Sequence, residues 1–76
     1  MMNAQIIEER LAASFPGARI KAQDLTGGGD HWQVSITAEH FRGKSLVEQH
    51  QMVYASLGAW MKKEIHALAL NTSVPS

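Results

Sequence analysis

Two alternating segments joined by a glycine-rich run constrain the fold of this chain most. In residues 18–24 and 31–38, apolar and polar side chains alternate, which is the pattern of a strand with one buried face. The run at residues 26–30 reads TGGGD and is predicted to be a flexible loop or hairpin tip. We therefore expect the two strands to pair antiparallel.

Two helices are predicted, one on either side of this hairpin. Apolar residues three and four positions apart indicate a helix over residues 3–15, for which Asn3 is the candidate N-cap. Farther along, Ser45 and Glu48 have the spacing of a capping box, in which a hydroxyl and a carboxylate satisfy backbone N–H groups at the helix start. The helix that begins there is predicted to run to about residue 63.

The longer helix presents one apolar stripe that is predicted to face the core. Its members are Leu46, His50, Val53, Leu57 and Trp60. A glycine inside a helix costs ~1 kcal/mol relative to alanine. The prediction therefore includes close packing at Gly58, which lies inside this helix.

A last alternating segment, residues 65–72, is predicted to be the third strand. The order helix, strand, strand, turn, helix, strand indicates an α+β fold, with a three-stranded sheet covered by helices on one face. At 76 residues the chain is expected to be one small domain. Within residues 1–76 its parts are a helix at 3–15, a hairpin at 18–38, a turn and long helix at 39–63, and a strand at 65–72.

Composition excludes several classes of function. The chain has no cysteine, so any metal would need nitrogen or oxygen ligands from it, and a cysteine nucleophile is excluded. Seven basic and seven acidic residues give a net charge of zero, which argues against strong non-specific binding to phosphates. No long apolar run and no signal-peptide pattern is present, so the expected location is the cytoplasm, without membrane contact.

Motifs for phosphate binding or hydrolysis are weak. GKS at residues 43–45 resembles the end of a phosphate-binding loop, but Ala38 stands where that loop needs its first glycine. The triple glycine at 27–29 resembles an anion-binding nest, although no helix follows it, and a loose hairpin is the favoured interpretation. Asp24 and Asp30 are interpreted as solvated turn residues. No catalytic residue is predicted, and the protein is not expected to be an enzyme.

Four histidines are the candidate metal ligands. His40 lies in the polar turn and is predicted to be exposed, whereas His50 is predicted to be partly buried and hydrogen-bonded. His31 opens the second strand and His66 opens the last one. If these strands are neighbours, both side chains stand at accessible edges, and neutral imidazole is a ligand for iron, as in Rieske [2Fe-2S] centres.

Four basic residues offer an alternative, nucleic-acid-binding function. Arg42, Lys44, Lys62 and Lys63 flank the longer predicted helix. A turn followed by a helix can enter a DNA groove as a variant of the helix-turn-helix motif. The balanced charge of the chain weakens this interpretation, and a solvated face with compensation of the helix dipole explains the same residues.

Three segments of the chain are more specific together than any single motif. They are FRGKSLVEQHQMVY at residues 41–54, IHAL at residues 65–68 and GDHW at residues 29–32. With these segments the chain resembles the BolA-like family, in which IHAL matches an isoleucine-histidine-alanine segment and GDHW is similar to the IbaG-like bacterial members. The resemblance covers about residues 5–72, which is nearly the whole chain.

This resemblance implies a class II KH-like fold and a partner, a monothiol CGFS-type glutaredoxin. The pair would share a bridged [2Fe-2S] cluster with glutathione, and no cofactor is expected in the isolated protein. The family's C-terminal histidine ligand maps onto His66. Its second ligand comes from the loop between the first two strands, where His31 is the candidate, although it lies at the strand start rather than in mid-loop.

The leading hypothesis is therefore a non-enzymatic accessory protein of iron–sulfur cluster trafficking or regulation. The family also carries reports of DNA binding and transcriptional control through the turn-helix region, which corresponds to residues 38–61 here. A DNA-binding regulator that uses Arg42, Lys44, Lys62 and Lys63 is thus the alternative. A homodimeric adaptor without a cofactor is the third hypothesis.

Overall fold

The computed structural model describes residues 2–76 and contains two α-helices and three strands. The elements in chain order are α1 (Ala4–Ser14), β1 (Arg19–Asp24), β2 (His31–Thr37), α2 (Leu46–Leu57) and β3 (Ala67–Ser73). Two 3-10 turns, Glu39–Phe41 and Gly58–Met61, lie on either side of α2. Within residues 2–76, no helix is long and apolar enough to cross a membrane.

The strands form one sheet in the order β1-β2-β3. β1 and β2 pair antiparallel, which confirms the predicted hairpin, and β3 pairs with β2 in parallel. The parallel pairing needs a crossover connection, which α2 provides between β2 and β3. In this register His31 lies opposite Ala67, so the starts of β2 and β3 are side by side.

Both helices pack on one face of the sheet, as the α+β prediction required. The buried side chains of β2 are Trp32, Val34 and Ile36, and the alternate residues of the strand are at least partly exposed. α1 contributes Ile7 and Leu11 to the same core, and α2 contributes Val53 and Leu57. The opposite face of the sheet bears polar and small side chains.

Two polar side chains of α1 fix its position on the rest of the fold. Glu8 Oε2 accepts a hydrogen bond from the backbone N–H of Ala22 at 2.9 Å, so it occupies a donor on the free edge of β1. Arg10 donates to the carbonyl of Ser56 at 3.0 Å, and its guanidinium lies 4.5 Å from the ring centre of Trp60. The helix therefore contacts both β1 and the end of α2.

The longer helix is shorter than predicted, because it ends at Leu57 rather than near Lys63. Gly58 has φ +57° and ψ −128°, a conformation that side-chain-bearing residues rarely adopt. A Cβ at this position would approach only the Arg10 guanidinium, at 3.8 Å, so the expected close packing at Gly58 is wrong. Backbone geometry, not crowding, accounts for this glycine.

The predicted apolar stripe of α2 is also only partly buried. Val53 and Leu57 are fully buried, but Leu46 in the first turn is 61% exposed. His50 and Trp60 are half-buried. A periodic pattern identifies which face of a helix is apolar, but not how much of that face another element covers.

The last strand begins two residues later than predicted. Ile65 is buried, but it precedes the strand, and its N–H donates to the carbonyl of Trp60 at 2.8 Å. The N–H groups of His66 and Ala67 both donate to the carbonyl of Asp30, at 2.7 and 3.2 Å, and the ladder with β2 starts there. Alternation alone could not separate this anchoring residue from the strand proper.

Candidate functional site

The two histidines predicted from their positions at strand starts lie next to each other. The parallel register of β2 and β3 puts His31 opposite Ala67, and Ala67 is the residue that follows His66 in the chain. The two ring centres are 6.0 Å apart, and the ring planes are inclined by 34°. His66 is exposed and His31 is half-buried, so both imidazoles are accessible at one end of the sheet.

Asp30 contacts both of these histidine residues, a role that the sequence interpretation missed. Its carboxylate Oδ1 lies 3.0 Å from Nδ1 of His31, and its backbone carbonyl accepts from the N–H of His66. The hydrogen bond with His31 is the main reason that the pKa of Asp30 is lowered. Asp30 lies in the bend before β2 with its side chain 47% exposed, as predicted for a solvated turn residue, but it also makes these two specific contacts. The adjacency of an aspartate and a histidine at a strand start was the available signal.

The glycine-rich loop before Asp30 is held by side chains rather than loose. Asp24 accepts three backbone N–H groups: Oδ1 binds those of Thr26 and Gly27, and Oδ2 binds that of Gly29. The indole N–H of Trp32, whose ring is buried in the core, donates to the carbonyl of Gly29 at 3.0 Å. The glycine amides that resemble an anion nest are therefore already occupied: those of Gly27 and Gly29 bind the Asp24 carboxylate, and that of Gly28 donates to the hydroxyl of Thr26.

His31 and His66 offer two imidazole groups as candidate metal ligands. Their ring centres lie 6.0 Å apart at one end of the sheet. Within residues 2–76, no group of three or more His, Cys, Asp or Glu side chains is arranged to hold a metal ion. Two nitrogen ligands are what this pair of residues can supply.

The other two histidines lie elsewhere in the fold. His40 is exposed, as predicted, and its ring packs edge-on against Phe15 with 5.5 Å between ring centres. His50 is half-buried, but its Nε2 is buried without a hydrogen-bond partner among residues 2–76. The expected hydrogen bond of His50 is therefore wrong. That expectation rested on the general tendency of buried polar groups to be hydrogen-bonded. In the structure, no donor or acceptor of residues 2–76 lies within hydrogen-bond distance of this nitrogen.

The four basic residues form two pairs rather than one patch. Arg42 and Lys44 precede α2, whereas Lys62 and Lys63 follow the 3-10 turn after it. A helix of 12 residues spans about 18 Å at 1.5 Å per residue, and it separates the two pairs.

The charge of Arg42 is already engaged within the chain. Its guanidinium binds the carboxylate of Glu39, with Nη2 at 3.1 Å from Oε2, and it donates to the carbonyl of Pro75 at 3.2 Å. Because of this contact, the pKa of Glu39 is lowered and that of Arg42 is raised. Arg42 is therefore partly neutralised where a phosphate would have to bind.

The start of α2 is closed by the predicted capping box. Ser45 Oγ accepts from the N–H of Glu48 at 3.2 Å, and the Glu48 carboxylate accepts from the N–H of Ser45 at 2.8 Å. This backbone hydrogen bond is the main cause of a lowered pKa at Glu48. The first turn of α2 thus presents a carboxylate beside Lys44, and a shallow groove of about 340 Å³ lies there.

Comparison with known proteins agrees with the resemblance seen in the sequence. The model of the BolA-like protein family matches residues 3–76. An uncharacterised protein of Rickettsia prowazekii is 36% identical over 75 residues, which is 97% of this chain and 97% of that protein. The DNA-binding transcriptional regulator BolA of Escherichia coli is 30% identical over 79 residues, which is 95% of this chain and 75% of that regulator.

A solved structure has the same fold. The crystal structure of a bol-like protein from Babesia bovis matches with a TM-score of 0.86 at 29% identity. The match covers 99% of this chain and 87% of that one. The likeness therefore includes the whole sheet, both helices and the ends of β2 and β3.

Proposed function

The chain belongs to the BolA-like family, and on that basis we propose that it is a non-enzymatic accessory protein of iron–sulfur cluster trafficking or regulation. In this proposal it binds a monothiol CGFS-type glutaredoxin in the cytoplasm. The two proteins hold a [2Fe-2S] cluster between them, and the cluster is cargo rather than a resident cofactor. His66 is the first ligand from this chain and His31 is the second.

The observation that carries the proposal is the approach of His31 and His66. Thirty-four residues of chain separate them, yet their rings lie 6.0 Å apart and open to solvent. Neither ring is needed to fill the core, which is built from other residues. A pair of accessible imidazoles, one at the start of β2 and one just before β3, supports a ligand role better than a structural one.

The ligand chemistry requires a partner with thiolates. Iron–sulfur clusters are held by thiolates, with histidine replacing cysteine at some iron atoms. This chain has no cysteine, so it can supply only the nitrogen ligands of a mixed set. A glutaredoxin cysteine and the thiol of glutathione would supply the rest. Imidazole ligation raises the reduction potential of a [2Fe-2S] centre, which suits a regulated complex.

Visible circular dichroism tests this function directly. The protein is titrated under anaerobic conditions into a cluster-loaded monothiol glutaredoxin with glutathione. We expect the cluster spectrum to change up to one-to-one stoichiometry, because the iron ligands change. We expect His66→Ala to abolish the change and His31→Ala to weaken or abolish it.

His40→Ala is the matched control for this titration. It removes an exposed imidazole at the far end of β2, whose seven residues span roughly 20 Å at about 3.3 Å per residue. We expect its spectra to equal those of the wild type. A cluster spectrum that does not respond to the wild-type protein would contradict the proposed function.

A DNA-binding regulator is the second candidate, favoured by the name of the Escherichia coli relative. The DNA-binding segment would consist of the 3-10 turn Glu39–Phe41 followed by α2. Arg42 and Lys44 would contact DNA phosphates. Two features weigh against it: Arg42 is paired with Glu39, and Glu48 adds a negative charge to the first turn of α2.

Salt-dependent fluorescence anisotropy on duplex DNA separates the two candidates. Contacts to two phosphates would give a slope of log affinity against log salt of about −2, and Lys44→Ala would reduce its magnitude by about 1. An equal loss with Lys62→Ala would indicate that both ends of α2 contact DNA. No binding at about 50 mM salt would eliminate this candidate.

A further inference from the structure

We propose that Asp30 is the positioning residue for both candidate ligands. Its carboxylate holds the imidazole of His31 so that Nε2 is free to bind iron, and its backbone carbonyl fixes the segment that carries His66. This inference rests on the proposed cluster function. It adds a residue that binds no metal itself but sets the geometry of the two residues that do.

The first step of the argument is the contact between the two side chains. Asp30 Oδ1 lies 3.0 Å from Nδ1 of His31. An ionised carboxylate can only accept a hydrogen bond, so Nδ1 must carry the proton. In the neutral ring the lone pair is then on Nε2, which lies on the far side of the imidazole from Asp30. A metal ligand oriented by a carboxylate on its other nitrogen is a general arrangement in metalloproteins.

The second step is that Asp30 is itself held in place. The hydroxyl of Thr26 donates to the same carboxylate oxygen at 3.3 Å. The loop that carries both residues is fixed by the three hydrogen bonds to Asp24. These contacts place the carboxylate beside the imidazole of His31.

The third step concerns the backbone of Asp30. Its carbonyl accepts from the N–H of His66 at 2.7 Å and from the N–H of Ala67 at 3.2 Å. These bonds connect the end of the loop to the start of β3. One residue thus relates the two ligands, with its side chain acting on His31 and its main chain acting on His66.

The two contacts can be separated by mutation. Asp30→Ala removes the carboxylate but keeps the carbonyl, so it should release His31 while the backbone at His66 stays in place. Asp30→Asn keeps an acceptor oxygen for Nδ1–H but loses the charge. Glu64→Gln is the control, because it removes a negative charge two residues before His66 at an exposed position.

The first measurement uses the protein without any cluster. Long-range ¹⁵N–¹H NMR spectra recorded about 1.5 pH units above the usual histidine pKa of about 6.5 report which ring nitrogen of His31 carries the proton. We expect the Nδ1–H form in the wild type, in Asp30→Asn and in Glu64→Gln. We expect Asp30→Ala to shift His31 toward the Nε2–H form that unconstrained histidine favours.

The second measurement is the titration of cluster-loaded glutaredoxin followed by circular dichroism. Loss of an orienting partner typically lowers metal affinity by about 10–100-fold, so Asp30→Ala should need that much more protein for the half-maximal change. Asp30→Asn should recover most of the loss, and Glu64→Gln should match the wild type. Dispersed amide spectra confirm that each variant is folded, and Asp30→Asn remains informative if Asp30→Ala does not fold.

Two results would overturn this role of Asp30 while leaving the proposed function intact. One is that Asp30→Ala shows the same titration midpoint and the same His31 tautomer as the wild type. The other is an equal loss of affinity in Glu64→Gln, which would indicate a general charge effect. A silent wild-type titration is a different outcome, because it contradicts the cluster function itself.

Discussion

At the scale of single residues, the proposed cluster site depends on Asp30, His31 and His66 at one end of the sheet. His31 and His66 would supply its two nitrogen ligands, and Asp30 is in contact with both residues. None of the three is part of the buried core. Their positions therefore depend on polar contacts with the loop rather than on packing.

Asp24 is the residue on which the order of that loop depends most. In Asp24→Ala three backbone N–H groups lose their acceptor. Because these bonds are exposed or half-exposed and involve a charged acceptor, we expect the free energy of unfolding to fall by about 1–3 kcal/mol. Urea denaturation gives this value, and amide exchange at Thr26, Gly27 and Gly29 should become faster.

Glu9→Ala is the matched control for this change, since within residues 2–76 the Glu9 carboxylate accepts only from the side chain of Gln5, at 3.2 Å. It should leave loop exchange unaltered. Unchanged exchange in Asp24→Ala would show that the loop is ordered by other means. In that case the hydrogen bond from the Trp32 indole to Gly29 and those of the Thr26 hydroxyl would be remaining tethers.

At the scale of elements, the end of α2 is decided by one backbone conformation. Gly58 at φ +57° turns the chain out of the helix and into the 3-10 turn that carries Trp60. Trp60 then packs under the guanidinium of Arg10 on α1. This single residue thus sets the position of the segment that leads to His66.

Gly58→Ala should destabilise the fold by roughly 1–3 kcal/mol, the cost of a residue in a sparsely populated backbone region. Space is not the reason, because the nearest atom to an added Cβ is 3.8 Å away. Thermal or urea unfolding measures the difference. A chain of this length can be made by synthesis, and D-alanine at position 58 should restore stability, since it allows positive φ. Equal losses with L- and D-alanine would contradict the backbone explanation.

At the scale of the whole molecule, the stability of the fold depends on pH through carboxyl groups in separate elements. The carboxyl groups of Glu39 and Glu48 have a pKa below the ordinary value of 4.5 in the folded chain, because each accepts a strong hydrogen bond there. A lowered pKa in the folded state means that the ionised group stabilises the fold. That contribution is complete above pH 4.5 and is lost as the pH falls through the folded value.

We therefore expect the urea midpoint of the protein to decrease on acidification below pH 4.5. Glu48→Gln should show a smaller decrease, because glutamine can still accept in a capping box but does not titrate. An NMR titration of Glu48 in Ser45→Ala should give a pKa that moves only part of the way back to the ordinary value, because the hydroxyl is lost but the backbone N–H of residue 45, the larger cause, is retained. Identical acid sensitivity in Glu48→Gln and the wild type would exclude this contribution.

Local features of the fold followed from the sequence because near neighbours determine them. The hairpin was predicted by alternation around the glycine run, and the capping box at Ser45 by a spacing of three residues. The errors came where local pattern is ambiguous. Gly58 ends a helix that apolar periodicity continues, and Ile65 is a buried anchor that alternation assigned to a strand.

The sequence by itself determined that this chain can offer nitrogen and oxygen ligands but no thiolate, and that His31 begins a strand and His66 lies next to one. Only the tertiary structure decided that those histidines are neighbours, because strand order depends on how α2 crosses over to bury its apolar face. The same crossover brings Asp30 against His66, a contact between residues far apart in the chain. Local patterns record the chemistry of each segment, whereas burial of the shared core decides which segments meet.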